Sequence, residues 1–351
     1  MEGICNTSNV TVCTFNQSSP DDFGFAFGDG QLVQKIVSIV VPLLFGIIGI
    51  VGLVGNFLVV IVVAANPGMR STTNLLIINL AIADLLFVIF CVPFTATDYV
   101  LPFWPFGNLW CKVVQYLIIV TACASVYTLV LMSLDRYLAV VHPIASMSVR
   151  TETHAFFAIC IAWAVILTAS IPVLIIHGEV NKFQNMEYSP LSFTRRDYFL
   201  IDHILVTFFL TSYIIPLTLI CGLYVCMLIR LWRGAHVSAE SRRGKRRVTR
   251  LVLVVVGVFA ICWCPIQLIL VIKSLDLYPM TSAAAVMVQI VSHVLAYTNS
   301  CVNPILYAFL SDNFRKAFRK VIYCRPRPDP HHRLGGPPTK TTRAASTGDI
   351  L

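Results

Sequence analysis

The chain has 351 residues, of which 57% are hydrophobic and 12% charged, with a mean hydropathy of +0.78 and a formal net charge of +9. So apolar a composition excludes a soluble globular protein and points to a membrane protein. The positive charge lies mainly between the fifth and sixth apolar runs and in the C-terminal tail, where anionic inner-leaflet lipid accounts for it without nucleic acid.

Residues 1–34 read as an extracellular tail. They hold no Lys or Arg, four acids (Glu2, Asp21, Asp22 and Asp29) and three glycosylation sequons at Asn6, Asn9 and Asn16. Cationic loops stay cytoplasmic, and the segment between the fifth and sixth runs reads RLWRGAHVSAESRRGKRRVTR. The tail is therefore expected outside, where sequons are used. With no apolar stretch before residue 34, the first span is expected to act as its own signal.

Residues 35–310 predict one all-α seven-transmembrane bundle. Apolar runs of about 20 residues or more, enough to cross a bilayer, centre on residues 36–64, 73–98, 110–134, 154–176, 199–229, 248–272 and 284–310. Seven crossings put the two termini on opposite sides.

Within the second run, NLAIADLLFVIF places Asp84 mid-span with no basic residue within a turn. An ionisable group in lipid is expensive, so it marks a function by default. Asn56, Ser125, Asn299, Ser300 and Asn303 lie at similar depth in other spans. A carboxylate with hydroxyls and amide oxygens is the ligand set of a hard cation such as sodium, or the lining of a water-filled cluster. Pro93, Pro172, Pro216, Pro265 and Pro304 interrupt five runs, each removing a backbone hydrogen bond and permitting a kink.

The third run ends in the charged couple Asp135 and Arg136. From a helix start near Asn108, Arg136 lies roughly 42 Å along the axis at 1.5 Å per residue, beyond a hydrocarbon layer of about 30 Å. At that cytoplasmic mouth Arg136 can pair with Asp135 or turn toward other helices or a partner protein. A snorkelling interface arginine is the plainer reading.

Of the twelve cysteines most lie inside spans, where a thiol behaves as a small apolar group. Cys5, Cys13 and Cys111 are placed for the oxidising exterior. After the last run, residues 311–324 (SDNFRKAFRKVIYC) alternate apolar and basic residues at helical spacing, as in a short amphipathic helix on the inner membrane surface. Cys324 at its end suits palmitoylation. Residues 325–351, rich in Pro, Gly, Thr and Ser, predict a disordered cytoplasmic tail with kinase acceptors.

Taken together, GN at Asn56, NLAIADLL at Asp84, DRY at Asp135–Tyr137, Trp163, Pro216 with Tyr224, CWCP at Cys262–Pro265 and NPILY at Asn303–Tyr307 appear in one order. This order resembles the rhodopsin-like G-protein-coupled receptors over about residues 35–324. The resemblance implies a plasma-membrane receptor rather than an enzyme. Arg136 would insert toward a heterotrimeric G protein, supported by Tyr224 and Tyr307. Trp263 would pass ligand binding to the kink at Pro265, and Asp84 would sit in a sodium pocket. Arrestin and receptor kinases would be further partners.

WPFGNLWCKVVQY, DRYLAVVHPIASMSVRTE and LSDNFRKAFRKVIYC are most similar to the neuropeptide receptors of the galanin and allatostatin-A group. That likeness implies an amidated peptide ligand ending in Phe-Gly-Leu and an inhibitory G protein. Ile118 stands where amine receptors carry an acid, and Tyr297 where retinal receptors carry a lysine. Two departures stand out. The family usually bridges the cysteine here numbered Cys111 to the second outer loop, yet residues 161–220 contain no Cys; either that loop is untethered or Cys111 pairs with Cys5 or Cys13. At the base of the sixth span, GKRRVTR lacks the acid that many relatives use to hold the DRY arginine.

An amidated C-terminus offers no charge, so its seat needs amide and hydroxyl partners within apolar walls. Counting turns outward from the motifs, Gln115, Ile118, Ile119, Gln267, His293 and Tyr297 should face one outer cavity. Phe94, Asp98, His203 and Phe209 would complete its wall. Alternatively, Gln267 and His293 satisfy each other or backbone carbonyls between helices. A transporter is the rival from another class, but inverted repeats or paired broken helices, which would mark one, are not evident.

Overall fold

The computed structural model describes residues 29–66, 71–101, 104–176, 203, 205–233, 239–275, 277, 283–310 and 312–322, and every regular element among them is helical. Asn6, Asn9, Asn16, Cys324 and the tail at 325–351 lie outside the described residues. Seven helical stretches are long and apolar enough to cross a membrane: Val37–Ala65, Thr72–Val100, Gly107–Val141, Glu152–Ile175, Leu205–Arg230, Val252–Ser274 and Ala284–Phe309. They are the predicted runs with shifted ends. The sixth helix extends back to Ala239, because its basic first turns can stay helical once out of the apolar layer.

In the most apolar stretch of the second and third spans 61% of residues are buried, against 17% in the fourth, so the former pair forms the centre and the fourth lies at the edge. Exposed Ile39, Leu43, Phe57, Phe156, Ile161 and Ile261 point outward, the arrangement that lipid as a solvent permits.

The five prolines act differently. The second span breaks at Cys91 and restarts as Val92–Val100 with Pro93 in its first turn, and the fourth breaks at Ser170 before Ile171–Ile176. Pro216 follows a wider π-turn at Leu210–Ile214. Pro265 and Pro304, by contrast, sit inside unbroken helices. At Pro304 the reason is visible. A proline cannot donate to the carbonyl four residues back, and that carbonyl, on Ser300, accepts instead from Asn56 Nδ2 at 2.8 Å.

Close contact of the first and seventh spans makes this bond possible. A Cβ on Gly52 would meet Val88 Cγ2 at 2.8 Å and Cys301 Sγ at 3.2 Å, and one on Gly55 would meet Pro304 at 3.0 Å. Glycine is required at these two positions for approach, not for backbone freedom. Cys301 Sγ then donates to Ile48 O at 3.0 Å. At the start of the third span Gly107 does use its freedom, with φ +76°; there Trp104 Nε1 donates to its carbonyl at 3.0 Å.

The helix Asp312–Ile322 follows the seventh span. Phe314 and Ala317 are buried against the bundle while Arg315, Lys316 and Arg319 are exposed, the one-sided burial expected of its pattern.

Candidate functional site

Three polar clusters lie along the bundle axis. At the end where the third span finishes, Asp135 is 4% exposed and accepts from Thr73 Oγ1 at 2.9 Å, Arg136 Nε at 3.1 Å and Arg150 Nε at 2.8 Å. The Arg136 guanidinium also contacts Thr73. A carboxylate with a hydroxyl and two guanidinium groups has its lone pairs well used. Arg136 therefore lies alongside Asp135, not turned into the bundle. Tyr137 points elsewhere, its ring 5.9 Å from His142. Tyr224 and Tyr307 are buried with hydroxyls that lack a partner. Tyr224 stands beside Ser133 and within electrostatic reach of Arg136.

Sequence reasoning missed Thr73 and Arg150. Arg150 comes from the loop after the third span, where Ala145–Met147 forms a single 3-10 turn. Its amide donates to Ser146 O at 2.8 Å and its carbonyl accepts from Thr72 Oγ1 at 3.3 Å. The only signal in the sequence is an isolated cation in MSVRTE, and spacing could not aim it.

In the middle of the bundle Asp84, 1% exposed, accepts from Asn303 Nδ2 at 2.8 Å and Ser125 Oγ at 3.3 Å, with Ser300 beside it. Among the described residues no basic side chain pairs with this carboxylate. Asn56, Asn299, Ser300 and Asn303 are each buried, and the Oδ1 atoms of Asn56, Asn299 and Asn303 have no hydrogen-bond partner. Trp263 Nε1, also unpartnered, is buried farther along the sixth span, where the ring stacks on Phe259 at 5.9 Å. One carboxylate with several unused neutral oxygens fits a monovalent cation or ordered water. No group of three or more His, Cys, Asp or Glu side chains suited to a more highly charged metal occurs among the described residues. A second network joins the second, third and fourth spans: Trp163 Nε1 donates to Asn79 Oδ1 at 2.9 Å, and Asn79 Nδ2 to Thr128 at 2.7 Å.

At the other end the predicted ligand residues fall into separate groups. His293 Nδ1 and Tyr99 Oη are 2.6 Å apart, Tyr297 Oη and Thr95 Oγ1 2.9 Å, and Phe45 and Phe87 pack edge-on against the Tyr297 ring. Asp98 and Lys273 stand close enough to act electrostatically on Tyr297 and His293 respectively. Phe94 joins Trp104, Phe106 and Trp110 in an aromatic group beside Cys111, Val114 and Ile118. Gln115 and Ile119 are half-buried on the same span, Phe209 stacks on Tyr213 at 6.1 Å, and His203 is exposed. Gln267 is 1% exposed.

Hydrogen-bond direction fixes how Gln267 faces. Ser212 Oγ gives its hydrogen to Phe208 O at 2.7 Å, so it must accept from Gln267 Nε2 at 3.0 Å. The Gln267 Oε1 is then an acceptor with no partner. Gln267 and His293 thus each find a partner on another span, and not each other. Tyr99, Thr95, Ser212 and Lys273 were not foreseen; a polar residue on a predicted inward face is the signal each offers.

The family described as 7 transmembrane receptor (rhodopsin family) matches residues 55–307, and the chain belongs to it. It is a multi-pass plasma-membrane signalling receptor and not an enzyme. The chain is 62% identical over 348 residues to an allatostatin-A receptor of Bombyx mori, covering 96% of this chain and 95% of that one. It is 40% identical over 316 residues to galanin receptor type 1 of Homo sapiens, covering 88% and 87% of the two chains. Galanin receptor type 2 of Homo sapiens is 40% identical over 287 residues, covering 81% and 73%.

Proposed function

We propose that this receptor binds an amidated neuropeptide of the allatostatin-A kind and activates a heterotrimeric G protein of the inhibitory class. The observation that carries the reading is the 62% identity to an allatostatin-A receptor along 348 residues. A galanin-like peptide is the alternative, and the galanin receptor identities favour it less. The free Oε1 of Gln267 supports an amide end: it can accept from a ligand N–H and would repel a carboxylate.

In this reading the N-terminal tail is outside and glycosylated, and Asp135, Arg136 and Arg150 face the cytoplasm. Release of Arg136 from Asp135 opens the G-protein seat, with Tyr224 and Tyr307 supplying the free hydroxyls that meet it. Sodium at Asp84 stabilises the resting packing. The Asp312–Ile322 helix rests on lipid, aided by a palmitoylated Cys324. The C-terminal tail recruits receptor kinases and arrestin.

The test is nucleotide exchange on co-expressed inhibitory G protein with synthetic amidated peptides ending in Phe-Gly-Leu. Exchange should follow peptide dose, and Arg136→Ala should abolish it while peptide affinity stays within a few fold. A receptor silent to these peptides and responsive to galanin would establish the alternative; solute flux without exchange would point to a transporter.

A further inference from the structure

Three consecutive residues of the π-turn before Pro216 are bonded to other spans. In that turn Ile215 N–H reaches back to Leu210 O. The next carbonyl in the same register is that of Thr211, and Pro216 has no N–H to give it. Tyr127 Oη, on the third span, donates to it at 3.0 Å. Ser212 Oγ accepts from Gln267 Nε2, on the sixth span, at 3.0 Å. Tyr213 Oη donates to Ala260 O, also on the sixth span, at 2.8 Å, with Cys264 beside it. Tyr127 thus fixes the turn to the third span, and the turn holds the sixth at two places. Those places bracket Trp263 and Pro265. Ala260 and Gln267 are two helical turns apart, about 10 Å along the axis, and Pro265 between them cannot bond the carbonyl four residues back. A helix bends most readily at such a point.

We infer that Tyr213 is a positioning residue for signalling, whose bond to Ala260 holds the part of the sixth span before Pro265 against the fifth. The inference rests on the reading of the chain as a G-protein-coupled receptor and adds to it a restraint at the kink. When the part before Pro265 swings away from the bundle, the Tyr213–Ala260 bond parts, while the part after Pro265 keeps Gln267 on Ser212. A hydroxyl left without a partner in an apolar layer is costly, so the bond favours the closed packing. It is also one hydrogen bond between membrane helices, weak enough to release. The Tyr213 ring stacks on that of Phe209 at 6.1 Å. Phe209 is a candidate ligand residue, so a ligand that displaces it turns the Tyr213 ring away from Ala260.

The test compares Tyr213→Phe, which keeps the ring and removes only the hydroxyl, with Tyr116→Phe. The second change removes a like bond, Tyr116 Oη to Leu167 O at 2.9 Å, between the third and fourth spans and away from the kink. Nitroxide labels on non-natural amino acids at exposed Leu253 and Val149 report the distance from the start of the sixth span to the loop after the third, with neither ligand nor G protein present. Tyr213→Phe should enlarge the share of receptors at the longer distance about three- to tenfold, as for loss of one hydrogen bond between helices. Ligand-independent nucleotide exchange should rise by a like factor. Tyr116→Phe should change neither. An unchanged distance in Tyr213→Phe, or an equal change in Tyr116→Phe, would overturn the inference. A longer distance without nucleotide exchange would uphold it and count instead against the proposed G-protein coupling.

Discussion

Arg150 Nε lies 2.8 Å from Asp135 Oδ1, so the carboxylate that holds the neighbouring Arg136 also holds the loop after the third span. The stretch GKRRVTR at the base of the sixth span carries no acid, and among the described residues Asp135 is the anion that pairs with Arg136, on its other oxygen. Arg150 and Arg136 do not compete for one lone pair.

Unequal effects should follow from this division. Asp135→Asn removes the anion that pairs with both guanidinium groups, and a hydrogen bond to a charged group is worth about 1.5–3 kcal/mol, so ligand-independent nucleotide exchange should rise about tenfold or more. Arg150→Ala leaves the Arg136 pair intact and should keep basal exchange near that of the unaltered receptor. If the two variants activate equally, Arg150 and not Asp135 is the restraint.

Asp84 should link agonist affinity to sodium. An ion that binds only the resting packing shifts the population by its differential affinity; Asn303, whose amide donates to the carboxylate, has an unpartnered oxygen that suits such an ion, and the buried Asn56 and Asn299 each have another. Peptide binding measured with sodium and with a large organic cation should differ for the unaltered receptor and coincide for Asp84→Asn. Equal binding of the unaltered receptor in both salts would end the idea.

The unpaired Gln267 Oε1 predicts discrimination between peptide ends. Removing a buried hydrogen-bond partner costs about 1–3 kcal/mol, so Gln267→Ala should weaken an amidated peptide roughly tenfold or more and its free-acid form much less. Surface expression measured in parallel separates binding from folding. Equal losses for the two forms would show that Gln267 serves only to hold Ser212.

Packing of the first span can be tested with two glycines one turn apart. A Cβ at Gly52 would meet Val88 at 2.8 Å, whereas at Gly49 nothing lies within 4 Å. Overpacking costs about 1–3 kcal/mol, so Gly52→Val should lower the thermal unfolding midpoint of the detergent-solubilised receptor and Gly49→Val should not. Equal midpoints would mean that the first span moves off the second and seventh at little cost.

Features that depend on neighbours along the chain are legible in the residues alone. Hydropathy is a local property, so seven spans could be counted, and a fixed rise per residue set the depths of Asp84, Arg136 and Asn303. Motif order placed the chain in its family. Angle around the bundle and the path of loops depend on contacts between distant segments, and these emerge only when the helices pack. Arg150 reaches Asp135 because a short turn folds its loop back beneath the second and third spans. Tyr99 meets His293 across 194 positions and Gln267 meets Ser212 across 55, pairings that depend on which faces of two helices pack together. Five prolines look alike in sequence, yet Pro304 leaves its helix unbroken while Asn56, from the first span, takes the carbonyl that it leaves free.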